Sequence, residues 1–356
     1  MVVSGFFFFL FALLCLPFVP GLIEIRKKTD AAPLKVVQDY DVDVHYFANT
    51  FRKYIQTHFS NLLRDKQSTQ GILEDDTHYF IIDHNNTIPL DESEKHLMTT
   101  YSMLISTGTL ILPGLMSYLT ELYAADSIKG GTEDIYRALL AEKDIDIAEG
   151  SMLLRWMHAG HSITIKPRSV LHGRVSADQS IHLSKDCHFE RLCAPAIFFG
   201  DGIPQFMELS NLNKLHPEDM AHEVDTRGER WLIEKDVTIP DNSLIESNLV
   251  VIGKLKIGKG CRITGSVKSR RELYIGEGTE VTGSLVSNHN IQCARGCRVA
   301  GPVISEKEII IESNSIIGSK DKPTTISAEE IHINTNSVAY GSIWARHKGI
   351  VRDENV

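Results

Sequence analysis

Apolar residues in this chain recur in pairs at a fixed step of eighteen. One series is Ile145 and Ile147, Ile163 and Ile165, Ile181 and Leu183. A second is Val237 and Ile239, Leu255 and Ile257, Leu273 and Ile275, Ile291 and Cys293, Ile309 and Ile311. Each pair reads apolar-x-apolar, the period of a strand with one buried face; a helix would space such residues three and four apart. Other columns keep the step: Ile245, Ile263, Val281, Val299 and Ile317; Leu249, Val267, Leu285 and Val303; Gly265, Gly283 and Gly301; Ser269, Ser287 and Ser305. In the earlier series Leu139, Met157, Val175 and Cys193 share a column, and Ala141, Ala159 and Ala177 share another. Independent columns at one interval signal a solenoid, each repeat a coil stacked on the last.

Eighteen residues are too few for a helix-turn-helix repeat but suit three short strands separated by bends. The predicted fold is all-β, a three-sided parallel β-helix of 18-residue coils. Glycines follow the paired positions at Gly258, Gly260, Gly276, Gly278 and Gly296, where bends need backbone angles that other residues adopt only with strain.

The pattern divides the chain. Residues 1–28 read as a membrane anchor with a basic stop, 29–102 as a helical and linker region, 103–201 as a first solenoid block and 231–345 as a second. Between the blocks, 202–230 is a polar insertion, either a loop on one face or the joint between two stacks. A small extra loop at Lys320 to Pro323 shifts the last coil by four residues, so that Ile331 and Ile333 continue the paired column. The tail 346–356 is polar and expected to fray. Within the linker, Val44, Phe47, Phe51, Tyr54, Ile55, Phe59 and Leu62 make an amphipathic helix whose apolar face is expected to cover the open end of the solenoid. Gly71 to Ile82 reads as a short strand.

The anchor rests on an uncharged run from Gly5 to Ile23 that holds Phe6, Phe7, Phe8, Phe9, Leu10, Phe11, Leu13, Leu14, Leu16 and Phe18. Its length is near that of a bilayer-crossing helix. Arg26, Lys27 and Lys28 follow it at once, so the positive-inside rule predicts a single pass with the body cytoplasmic. A cleaved signal peptide is the alternative, but no basic residue precedes the run and no small-x-small site follows it.

Composition narrows the function classes. The formal net charge is −9 and no Lys/Arg-rich face repeats along the coils, which argues against a nucleic-acid partner. Six cysteines show no ligand spacing, and Cys193 and Cys293 fall in apolar columns, as small hydrophobes do. Cys261 and Cys297 share a column two coils apart, roughly 9–10 Å, too far for a disulfide. Five histidines crowd between 158 and 188, yet His158 and His182 alternate with inward residues and read as solvated, with no three converging on a metal. No GxxxxGK[ST] loop or GxSxG elbow is present. No catalytic, cofactor or metal residues are expected. The enzymatic alternatives are a left-handed hexapeptide acyltransferase, whose aliphatic-every-six pattern fails at Ser269, Ser287 and Ser305, and a glycan-binding or glycan-processing β-helix.

The stretch ITGSVKSRRELYIGEGTEVTGSLVSNHNIQCARGCRVAGPVISEKEIIIES, residues 263–313, resembles the bactofilin family of bacterial polymer-forming cytoskeletal proteins. The apolar-x-Gly-x-apolar bend, the apolar-x-apolar pair and the glycines after it carry the likeness, which covers roughly 230–345. The resemblance implies a right-handed β-helix that polymerises end to end without nucleotide, often at the inner face of the bacterial membrane. It implies no enzymatic activity and a scaffold role toward cell-envelope enzymes. Hydrophobic end coils make the contacts in that family, which points here to Ile331, Ile333, Ile343 and Trp344.

Overall fold

The computed structural model describes residues 44–65, 68–74, 76–83, 88, 92–205, 209, 211–226 and 230–353. The expected anchor, Phe6 to Phe18 with Arg26, Lys27 and Lys28, lies outside the described residues. Among the described residues no helix is long and apolar enough to cross a membrane.

The chain forms a parallel β-solenoid of about 14 turns. Alternation sets each rung: in Ile145–Ile147 the two isoleucines are buried and Asp146 faces out. Parallel pairing at the eighteen-residue step stacks Ile145 on Ile163 and Ile163 on Ile181. In the second block Val237, Leu255, Leu273, Ile291 and Ile309 pair rung to rung, and Ile309 pairs with Ile331 across the longer step made by the 320–323 loop. The inward columns fuse into one continuous core running through both blocks.

Ser269, Ser287 and Ser305 point inward at a corner of the second block and are buried. Each hydroxyl satisfies a bend: Ser287 Oγ donates to the Arg271 carbonyl at 2.5 Å and accepts from the His289 N–H at 3.0 Å, and Ser269 and Ser305 make the equivalent bonds. The break in the aliphatic pattern thus serves backbone hydrogen bonding.

Cys193 does not continue the inward column. A register shift within Val170–Ala177 and His188–Phe199 places Val175 against Leu192, so Cys193 falls in the outward column beside Ser176. The ladder also starts earlier than residue 103: His78–Ile82 pairs parallel with Met103–Ser106, and Thr69–Ile72 folds back on it as an antiparallel strand.

The first helix, α1 (Tyr46–Asp65), does not cover an end of the solenoid. It lies along a flank of the first block, with Ala48, Phe51, Ile55 and Phe59 buried against Ile81, Met103, Ile105, Tyr123, Ala138, Leu140 and Trp156. These belong to successive rungs, so the helix runs across the strands. Its twenty residues span roughly 30 Å, enough to cross about six rungs at ~4.8 Å each.

The two blocks meet tail to tail. His188–Phe199, the last coil of the first block, pairs antiparallel with Ser337–Arg352, the last coil of the second. Three stretches take part: His188 and Phe189 face Ile350 and Gly349, Arg191 to Ala194 face Trp344 to Gly341, and Ile197 to Phe199 face Ala339 to Ser337. This closes the tip expected to be free for polymerisation. Ile331, Ile333 and Ile343 are core residues, Ile343 opposite Leu192, and Trp344 lies beneath the Arg191 guanidinium at 5.0 Å. The expected frayed tail is also strand as far as Arg352, because Val351 is buried and Ile350 pairs with both His188 and His332.

Tail-to-tail joining obliges the chain to travel back to the far tip of the second block. The described residues between 202 and 226 lie along one corner. Gln205 N–H donates to Asn314 Oδ1 at 3.3 Å, Leu209 passes Gly260, and Asn213 N–H donates to the Asn242 carbonyl at 2.7 Å. That corner is a column of left-handed residues, Asn242, Gly260, Gly278, Gly296, Asn314 and Asn336, with φ from 56° to 73°. Glycine and asparagine are the residues that hold this conformation at least cost. Leu215, Met220 and Val224 then pack against the first coil of the second block and cap it.

Candidate functional site

The flank beneath α1 is buried from both sides. In Met103–Ser106 all four residues are buried, because Leu104 faces the core while Met103 and Ile105 face the helix. The strands here carry bulges between Tyr118 and Glu121, Leu153 and Trp156, and Leu171 and Arg174. Bulges re-aim the strand and push the extra residues outward. The extra residues form a wall facing α1, and between wall and helix runs an open groove of about 860 Å³.

Phe47, Phe51 and Tyr54 line the groove from the helix, and Met103, Leu154, Trp156, Arg137 and Arg155 line it from the coils. Phe51 meets Trp156 edge to face, centroids 5.8 Å apart. Arg137 is half-neutralised by Glu121 at 3.2 Å, whereas Arg155 has no ion-pair partner among the described residues. Leu154 and Phe47 stay exposed, and Tyr101 lies beyond them on the same wall. Aromatic faces beside guanidinium groups suit a ligand with an apolar body and an anionic group.

At the N-terminal end of α1, His158 corrects the sequence reading. It does point away from the solenoid core, but the helix covers it, leaving it 2% exposed. His158 Nδ1 bonds Ser176 Oγ at 2.9 Å, and the His45 ring meets it edge to face at 5.0 Å. Asp178 Oδ1 lies 3.9 Å from both His45 Nδ1 and His158 Nε2. These three groups also bring potential ligand atoms together, at separations about 0.5 Å wider than the ~3.4 Å between two ligands on a tetrahedral ion. The arrangement is a polar latch between helix and coil. Burial lowers the His158 pKa to about 4, against the pull of Asp178. Arg52 Nε donates to Glu142 at 2.9 Å, a second latch about two helical turns along.

Inside the first coils, Asp134 is fully buried but saturated. It accepts from Tyr136 Oη at 2.6 Å, Met116 N–H at 2.9 Å and Gly131 N–H at 2.8 Å. Tyr118 stacks on Tyr136 at 5.6 Å. Burial raises the Asp134 pKa while these bonds oppose the rise, a structural knot at a bend.

The free thiols follow burial. Cys187, Cys193, Cys261, Cys293 and Cys297 are unpaired, and burial pushes the Cys187 and Cys293 pKa values to about 11 and about 12, away from thiolate reactivity. A separate group of Glu308, Glu330 and His332 brings three potential ligand atoms together on the second block.

The expected site residues Ile331, Ile333, Ile343 and Trp344 lie near the joint, remote in sequence from the groove-lining residues. The groove itself escaped the sequence reading. Its signal was apolar residues at consecutive positions, Met103–Leu104–Ile105, Leu122–Tyr123 and Leu139–Leu140, which alternation with one wet face would not produce. No family model, curated protein or solved structure matches the chain.

Proposed function

We propose that this protein is a non-enzymatic scaffold, a stiff rod of bactofilin-type, right-handed coils held at the inner face of a bacterial membrane by its N-terminal apolar segment, which assembles without nucleotide and positions cell-envelope enzymes. The observation that carries the reading is the antiparallel pairing of His188–Phe199 with Ser337–Arg352. It turns two stacks into one hydrogen-bonded ladder, roughly 65 Å long at ~4.8 Å per rung. Such a ladder is built for length and rigidity.

Because the joint uses the C-terminal edge of both blocks, self-association falls to the outer tips. The 211–226 cap covers one. At the other, Thr69–Ile72 pairs on one edge only among the described residues, and Ile72 is 60% exposed. An unpaired strand edge templates a second strand, and anchoring in a membrane raises its local concentration so that a weak contact suffices. With one outer tip capped, the full chain in mild detergent should sediment as tip-to-tip dimers without nucleotide, and Ile72→Lys should reduce them. A strictly monomeric protein over a wide range of concentration and salt would remove the scaffold reading. Saturable acyl-CoA binding by calorimetry would favour the acyltransferase instead.

A further inference from the structure

We infer that Glu308, Glu330 and His332 form a binding site for a divalent cation of the Zn²⁺ or Mn²⁺ class on the outer face of the second block. Glu308 and Glu330 are direct register partners on adjacent rungs. Like charges directly opposite each other weaken a sheet unless something neutralises them. His332, two residues beyond Glu330, turns to the same side and is 7% exposed, with no hydrogen-bond partner on either ring nitrogen. A buried imidazole without partners is costly.

The geometry supplies the missing partner. His332 Nε2 lies 3.7 Å from Glu308 Oε1 and 3.5 Å from Glu330 Oε2. At those separations neither carboxylate makes a well-formed hydrogen bond to the ring, the Glu330 contact lying at the outer limit, whereas two ligands held ~2.1 Å from one tetrahedral ion stand about 3.4 Å apart. Asn290 Nδ2 donates to Glu308 Oε2 at 3.2 Å, which fixes that carboxylate and leaves Oε1 toward the imidazole. Outer bonds of this kind orient metal ligands. Both glutamates are partly exposed, so an ion has a path in.

One nitrogen and two carboxylate oxygens select borderline divalent ions over Ca²⁺ or Mg²⁺, which prefer oxygen alone, and over thiolate-seeking ions. The ion would tie Glu308–Ile311 to Thr324–Asn334, the two rungs separated by the 320–323 loop. It clamps the repeat where it is longest, one rung from the joint.

Untagged full chain, stripped with a chelator, should bind Zn²⁺ in calorimetry, and Mn²⁺ more weakly, with a rise in Tm. Glu308→Gln/Glu330→Gln should bind one equivalent fewer and lose that rise. Glu330→Gln alone, at a half-exposed position that leaves packing intact, should weaken the site at least tenfold, as should His332→Gln. His45→Asn/Asp178→Asn should leave it unchanged. Equal stoichiometry and affinity in wild type and the double glutamine variant would overturn the proposal, as would loss of the site in His45→Asn/Asp178→Asn.

Discussion

Phe189 presses its ring edge against the Cα of Gly349 across the tail-to-tail joint, and no β-carbon fits between them. Phe189 is buried beside Phe199, centroids 6.2 Å apart, so the ring cannot swing away. Gly349→Ala therefore overpacks the joint and should cost about 1–3 kcal/mol. Phe189→Ala should cost about 3–5 kcal/mol by leaving a cavity. In the double variant the clash is gone, so guanidinium unfolding should show a total smaller than the sum. Additive costs would mean that the two residues do not touch.

The serine corner makes a second claim, that its polarity serves the backbone. Ser287→Ala removes both the donor to the Arg271 carbonyl and the acceptor of the His289 N–H. The loss should be about 1–3 kcal/mol, the range for stranding a buried polar group. Ser287→Val should do no better despite its larger apolar side chain, since the N–H stays unpaired. A valine variant more stable than wild type would show that the corner tolerates the aliphatic residue of a hexapeptide coil.

His158 gives the fold a pH dependence of definite sign. Its folded pKa, lowered to about 4 by burial, lies below the ordinary histidine value, so the unfolded chain takes up the proton first. Above about pH 6.5 the residue is neutral in both states and contributes no pH dependence. As pH falls from there to about 4, stability drops by about 3 kcal/mol through this residue. The groups facing it are His45, Arg52, Glu142, Asp178 and Ser176. Stability curves in chelator at pH 7 and pH 4.5 should diverge more for wild type than for His158→Gln. Parallel curves would place the imidazole in contact with water.

The second block is legible in the sequence because its eighteen-residue step runs unbroken from Val237 to Ile311, so every inward column keeps one spacing. In the first block the bulges at 119–120, 154–155 and 172–173 move the outward residues, and the step from Val175 to Leu192 is one short. A strict eighteen-residue step assigns Cys193 to the core, whereas the pairing sets it beside Ser176 in the outward column. The joint was invisible for a different reason: alternation states which residues face inward, not which strand lies alongside, so Ile343 reads equally well as an open tip or a closed one. His158 was placed on the correct side of its strand, but a covering helix eighty-odd residues before the repeats begin in earnest leaves no mark on that strand's own period. Gly260, Gly278 and Gly296, legible as bends, do lie on the left-handed corner along which the returning segment passes, and Asn242, Asn314 and Asn336 extend that corner without having been legible as part of it.

Unseating α1 separates the groove from the coils that carry it. Ile55 is 1% exposed at the centre of the helix–coil contact, while the rungs beneath hold one another through their own ladder. Ile55→Asp buries an unpaired carboxylate in that contact, which favours release of the helix. A free helix of this length is marginal in water, so it should melt once released. Hydrogen exchange should then show Tyr46–Asp65 unprotected and Ile145–Leu183 still slow, with groove ligands lost alongside. Exchange through both regions together would make α1 an integral part of the solenoid's folding unit, and unchanged protection would mean that the helix is held chiefly by the Arg52–Glu142 and His45–Asp178 pairs.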